Sequence, residues 1–183
     1  MTQPAWLVGI DLQRVFGDPT SPWCAPRYGA AAARVARLAP AFRERTVLTR
    51  FVAPERPEGA WAPYYEEFPW ALVGDEDPLY ALTDEVAGLP ARTVTAPTFG
   101  KWAELLPVVG ESPRLVVTGV ATDCCVISTV LAAADAGASV TVVTDACAGS
   151  NDGNHAKALD VMALYGPLVR LTTTDALLEE LGH

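Results

Sequence analysis

The chain has 183 residues, half of them hydrophobic and only 19% charged, with a net charge of −9 and a pI near 4.6. That length suits one domain, residues 1–183, with a sizeable core. The acidic balance argues against a nucleic-acid partner, whose phosphates need Lys and Arg, and against an anionic membrane surface. With so few charges to wet the surface, an oligomer that buries an apolar face is expected, a homodimer or homotetramer.

The N-terminal stretch MTQPAWLVGIDLQ has no basic region before its apolar run and does not read as a signal peptide. No apolar run is long enough to span a bilayer. Trp6 to Ile10 reads as a buried parallel strand, closed by Asp11, a carboxylate that could serve chemistry or simply cap a turn. Gln13 to Tyr28 holds Gly17, Pro19, Pro22 and Pro26 and reads as loop. Gly29 to Arg43 is alanine-rich, with Val35, Leu38 and Phe42 on one helical stripe. Thr46 to Phe51 is a second strand. Val52 to Trp70, rich in Pro, Trp and Tyr, reads as a long aromatic loop, either a lid or interface or a plain surface loop. Leu82 to Gly88 suggests a short helix, Arg92 to Ala96 a third strand ended by Pro97, and Ala103 to Val109 another helix.

The stretch Arg114 to Ser150 organises the rest. A strand at Leu115 to Val117 runs into a sharp turn at Gly119 to Asp123. A helix from Cys125 to Ala136 stops at Gly137, and a strand from Val140 to Val143 ends at Asp145. Strand, helix, strand is a parallel crossover. Asn151 or Asp152 can cap a helix to about Tyr165, stopped by Gly166-Pro167; Leu168 to Thr172 is a sixth strand and Thr174 to Leu181 a last helix. Six apolar strands alternating with helices predict a doubly wound α/β sheet, mainly parallel, with helices on both faces. Ligands of such sheets bind beyond the strand ends at the topological switch point. In the order 3-2-1-4-5-6, Asp11 after strand one would face Cys125 after strand four.

The four cysteines are Cys24, Cys124, Cys125 and Cys147. No CxxC pair occurs, so neither a zinc knuckle nor a thioredoxin-like site is indicated, and reduced thiols in a cytoplasmic protein are expected. With only His155 and His183, a multi-histidine zinc site cannot be built, and the base for a cysteine nucleophile is better sought among carboxylates. Cys125, where its helix starts, feels the partial positive charge of the helix N-terminus, which favours thiolate; free N–H groups of the same turn could hold an oxyanion. The alternative is a buried cysteine acting as a small hydrophobe. Neither a GxGxxG turn nor a P-loop is present, so no nucleotide cofactor is expected.

Three stretches together resemble the isochorismatase-like cysteine hydrolase superfamily, which includes nicotinamidases and N-carbamoylsarcosine amidase. They are Leu7 to Gln13, with its Asp-x-Gln; Gly119-Val120-Ala121-Thr122-Asp123-Cys124-Cys125-Val126; and Val143-Thr144-Asp145-Ala146. The resemblance implies the 3-2-1-4-5-6 sheet, a nucleophile at Cys125 rather than Cys124, and a cis peptide between Val120 and Ala121. It also implies oxyanion donors at the N–H groups of Ala121 and Cys125. The family triad is Asp, Lys and Cys. Asp11 and Cys125 carry over, but Ala96, before Pro97, stands where the family has its lysine. Lys101, five residues later, either reaches back to restore the charge or is a surface lysine. The metal-binding Asp-x-His of nicotinamidases is also missing after strand two, so no metal is expected. The resemblance thus implies cysteine-dependent hydrolysis of a small-molecule amide, with a vinyl-ether hydrolase of the isochorismate type, or an impaired binding protein, as alternatives. Phe16, Trp70 and Trp102, with Trp61 and Tyr64, are expected to wall the pocket. Asp123 is expected to cap its helix and Asp145 to serve structure.

Overall fold

The computed structural model describes residues 4–183; the first three residues of the stretch read as lacking a leader lie outside them. The strands are β1 (Trp6–Ile10), β2 (Thr46–Phe51), β3 (Arg92–Ala96), β4 (Arg114–Val120), β5 (Ser139–Ala148) and β6 (Val169–Thr172). They form one sheet in the order β3-β2-β1-β4-β5-β6, every pairing parallel. The helices are α1 (Arg14–Gly17), α2 (Tyr28–Phe42), α3 (Trp61–Glu67), α4 (Asp84–Ala87), α5 (Trp102–Val109), α6 (Ile127–Asp135), α7 (Asp152–Ala163) and α8 (Thr174–Leu181). None is long and apolar enough to cross a membrane among the described residues.

Alternation along the strands sorts the core into two layers. In β1, Leu7 joins a cluster with Val35 and Leu38 of α2 and Leu177 of α8, while Val8 joins Leu105 of α5, Val130 of α6 and Met162 of α7. Successive side chains of a strand point to opposite faces, so a strand covered on both sides is apolar at every position.

Two segments read as loop contain helix. Arg14 to Gly17 makes one turn, and Trp61 to Glu67 makes α3 despite Pro63. Pro63 is the third residue of α3, where the missing N–H would have no partner inside the helix anyway. Strand β5 is longer than its apolar run suggests. After an irregularity between Val117 and Gly119, β4 resumes pairing as Gly119↔Cys147 and Val120↔Ala148. The irregularity presses the end of β4 against the end of β1. Gly119 has φ +108, and a Cβ there would sit 2.2 Å from the carbonyl oxygen of Ile10. Only glycine permits that approach. It brings the turn after β4 beside Asp11.

Candidate active site

Asp11 follows the last residue of β1 with φ 49 and is fully buried. Its N–H donates to Thr49 Oγ1 at 3.0 Å, and the Thr49 hydroxyl donates to Asp11 Oδ1 at 2.5 Å. One threonine of β2 therefore fixes both the backbone and one carboxylate oxygen.

The other oxygen faces Lys101. The lysine precedes α5 and is fully buried, with its ammonium 3.0 Å from Asp11 Oδ2. It also donates to the carbonyl oxygens of Thr98 and Phe99 and lies 5.4 Å from the centre of the Phe51 ring. The chain between Thr98 and Lys101 curls, with the Thr98 hydroxyl donating to the Gly100 carbonyl at 2.9 Å. Of the two readings left open by the sequence, the surface lysine does not describe this geometry. The cation arrives from five residues beyond Ala96, whose position at the end of β3 is itself fully buried. Beyond the Lys101 ammonium, Oδ2 meets no hydrogen-bond donor among the described residues.

Between β4 and α6 the chain makes one π-helical turn, Thr122–Val126, preceded by a cis peptide between Val120 and Ala121. The carbonyl of Ala121 accepts from the N–H groups of Cys124 and Val126 at 3.0 and 3.1 Å. Cys125 is 2% exposed. Its thiol sits among groups that mostly act against ionisation. A hydrogen bond to Cys124, burial and the Asp11 carboxylate push it well above the ordinary thiol range, opposed by the Lys101 charge. Burial disfavours the charged form, against the partial positive charge expected at the helix start. The same hydrogen bond lowers Cys124.

A cavity of about 250 Å³ opens onto Cys125. Its walls are Phe16, Trp23, Phe51, Tyr64 and Phe99, and its floor and rim include Ala121, Asp123, Cys124 and Ser150. Three expected wall residues lie elsewhere. Trp61, in α3, packs edge-on against Tyr64 and Phe99 with ring centres 5.3 and 5.1 Å away and does not line the cavity. Trp70, in a 3-10 turn at Pro69–Ala71, packs edge-on behind Trp23 at 4.6 Å and lines a separate cleft with Arg14 and Pro78. Trp102 packs on the opposite core layer; Lys101 points inward, and the next residue of a starting helix turns about 100° away from it. Trp23, Phe51 and Phe99 were not singled out from the sequence, because Phe51 reads as strand core and the other two as loop.

Asp123 does not cap its own turn; it accepts from the N–H and hydroxyl of Ser150 at 2.8 and 2.6 Å, tying the Thr122–Val126 turn to the end of β5. Asp145 is structural, holding the N–H and hydroxyl of Thr174 at the start of α8 and pairing with Arg34 at 2.9 Å. His155 bonds Thr122 Oγ1 at 2.8 Å and does not line the cavity. Among the described lining residues there is no Lys, Arg or His; Arg50 turns away to Asp75 at 2.7 Å.

A family model for the isochorismatase domain matches residues 5–176. The chain belongs to the isochorismatase family. No match was found among curated proteins. An isochorismatase family protein from Desulfovibrio vulgaris superposes with a TM-score of 0.79 at 20% identity, covering 100% of both chains. A cysteine hydrolase from Pseudomonas syringae pv. phaseolicola gives 0.82 at 15% identity, covering 98% of this chain and 92% of its own. The pyrazinamidase of Pyrococcus horikoshii in complex with zinc gives 0.74 at 23% identity, covering 93% and 99%. Such identities speak to the fold. This isochorismatase-family chain does not fit a zinc ion: β2 ends in Phe51, followed by Val52 and Ala53, and no group of three His, Cys, Asp or Glu side chains is placed to hold a metal among the described residues.

Proposed function

We propose that this isochorismatase-family protein is a cysteine-dependent hydrolase of small-molecule amides, acting through a thioester. The observation that carries the reading is the buried Lys101–Asp11 pair, 3.0 Å apart, whose charges both act on Cys125. Cys125 opens onto the cavity, and the buried Asp11–Lys101 pair acts on it as base and cation although the expected lysine position holds Ala96.

The chemistry starts from a neutral thiol, in keeping with the raised Cys125. As Sγ attacks the amide carbonyl, the thiol proton passes to Asp11 Oδ2. The carbonyl π electrons move to oxygen, and that oxyanion is received by the N–H groups of Ala121 and Cys125. The Ala121 N–H makes no hydrogen bond of its own among the described residues. Asp11 returns the proton to the departing amine, the C–N bond breaks, and a thioester remains. Water then loses a proton to Asp11 and attacks the thioester; the C–S bond breaks and the proton returns to Sγ. Lys101 supplies the balancing charge that a buried carboxylate needs throughout. The net reaction is amide plus water to acid plus amine.

The cavity favours this over vinyl-ether hydrolysis of a dicarboxylate such as isochorismate. Its walls are aromatic, Asp123 is the only carboxylate among the described lining residues, and the nearby ammonium is already engaged by Asp11 and two carbonyls. Burying an unpaired anion there would be costly. The test is ammonia release across a panel of small primary amides, with Cys125→Ala alongside. Turnover that vanishes in the variant is expected; turnover of isochorismate retained by Cys125→Ala would overturn the proposal.

A further inference from the structure

A lysine that has left the end of β3 needs another anchor. The backbone around Lys101 shows one. Gly100 lies against the start of α6, so that a Cβ on it would sit 3.6 Å from the Ser128 carbonyl oxygen. One residue on, the Lys101 N–H donates to Thr129 Oγ1 at 3.0 Å, and the Thr129 hydroxyl donates in turn to the Cys125 carbonyl at 2.7 Å. Thr129 is fully buried.

A helical threonine bonding the carbonyl four residues back is commonplace and says nothing about function. What distinguishes Thr129 is that its hydroxyl simultaneously accepts from a residue 28 positions away. The donor and acceptor functions of one oxygen are both used, one on the residue that carries the cation and one on the residue that carries the nucleophile.

We infer that Thr129 is the positioning residue of this site, setting the distance between the Lys101 ammonium and the Cys125 thiol. This deepens the proposed amide hydrolase and rests on its assignment of Lys101 and Cys125. Thr129 touches neither substrate nor reacting atoms. It acts by holding the two backbone segments whose side chains do. Lysine placement from a loop tolerates little play, because misplacement by about 1 Å can cost on the order of 100-fold in rate. The hydroxyl removes that play where a strand end would have done so.

The test compares Thr129→Val and Thr129→Ser with the parent and with Lys101→Met. The readout is the pH profile of iodoacetamide alkylation at Cys125, resolved from Cys124 by peptide fragmentation. Of the interactions acting on the Cys125 thiol, the Lys101 charge is the one that draws it down. Lys101→Met is therefore expected to move the Cys125 profile upward and to slow its alkylation at a fixed alkaline pH. Thr129→Val is expected to move it in the same direction, and Thr129→Ser, which keeps the oxygen, to leave it in place. Amide turnover should fall in kcat with KM nearly unchanged for the Val variant and be restored by Ser. A merely structural threonine would lower the melting temperature without moving the profile. If Lys101→Met shifts the profile and folded Thr129→Val does not, the inference about Thr129 fails while the hydrolase reading stands. If Lys101→Met itself leaves the profile unmoved, the hydrolase reading fails first. Should Thr129→Val not fold, Thr129→Ala is measured in its place. A Ser variant as displaced as the Val or Ala variant would overturn the role of the hydroxyl.

Discussion

Replacing Lys101 by Met probes the site through stability as well as rate. The side chain keeps its length and loses its charge. Lys101 and Asp11 are both fully buried and 3.0 Å apart, so the substitution leaves a carboxylate in the interior with no cation. Breaking a buried pair in this way costs about 3–5 kcal/mol. The contact with the Phe51 ring, at 5.4 Å, adds about 1 kcal/mol. For a chain of this size each kcal/mol moves the melting temperature by roughly 2–4 °C, so Lys101→Met should melt on the order of 10 °C lower. Asp11→Asn combined with Lys101→Met removes both charges and should recover much of that loss, since a neutral buried pair carries no desolvation debt. Urea titration of the parent, both single variants and the double variant gives the coupling directly. Amide turnover should fall by about 10²–10⁴-fold in Lys101→Met and not recover in the double variant, which lacks the base. A Lys101→Met protein that melts within about 2 °C of the parent and keeps its turnover would refute the assignment of Lys101 as the buried cation.

Three other outcomes follow from the same geometry. In the free protein, iodoacetamide should label Cys124 before Cys125, because Cys124 is partly exposed while Cys125 is buried and its ionisation disfavoured; fragment mass spectra after a short pulse at neutral pH decide this, and faster labelling of Cys125 would contradict the neutral-thiol start. Gln13→Met should destabilise the fold by about 2–4 kcal/mol, since the buried Gln13 amide donates to the carbonyls of Phe51 and Tyr80 at 2.9 and 2.8 Å and accepts from the Phe51 N–H at 2.7 Å; urea unfolding measures it. At alkaline pH, burial holds Cys147 at about 12, above its ordinary 9.0, and Tyr64 at about 12, above its ordinary 10.0. Both stay neutral in the fold after their unfolded counterparts ionise, so the stability they contribute is complete below about pH 9 and drains away as pH rises toward 12. Melting temperatures should fall steeply across that window, and a flat profile to pH 11 would count against both burials.

The sheet was legible because its signal is local. β1 and β4 are short apolar runs between breakers, and β1, β2 and β3 fall at Trp6–Ile10, Thr46–Phe51 and Arg92–Ala96, as the sequence predicts. Asp11 and Cys125 were legible because they sit at strand ends beside recognisable motifs. The site's supporting residues were not. Thr49 is one more β-branched residue in a strand until the pairing of β1 with β2, Gly9↔Leu48, brings it to Asp11. Thr129 is one more buried helical residue until the loop at Gly100 is laid against α6. The prolines between Val52 and Trp70 hid α3, because Pro is read as a breaker without regard to its place in the first turn.

The aromatic wall has an optical consequence. Of the five tryptophans, only Trp23 faces the cavity, stacked on Phe16 with an interplanar angle of 11° and with Trp70 4.6 Å behind it. An indole pair that close exchanges excitation, so emission gathered by Trp70 can be read out through Trp23. Any molecule that displaces water from the ring of Trp23 will shift the colour and yield of that emission, without a label and without turnover. The protein carries its own occupancy gauge, and unreactive compounds can be ranked by it before a substrate is in hand.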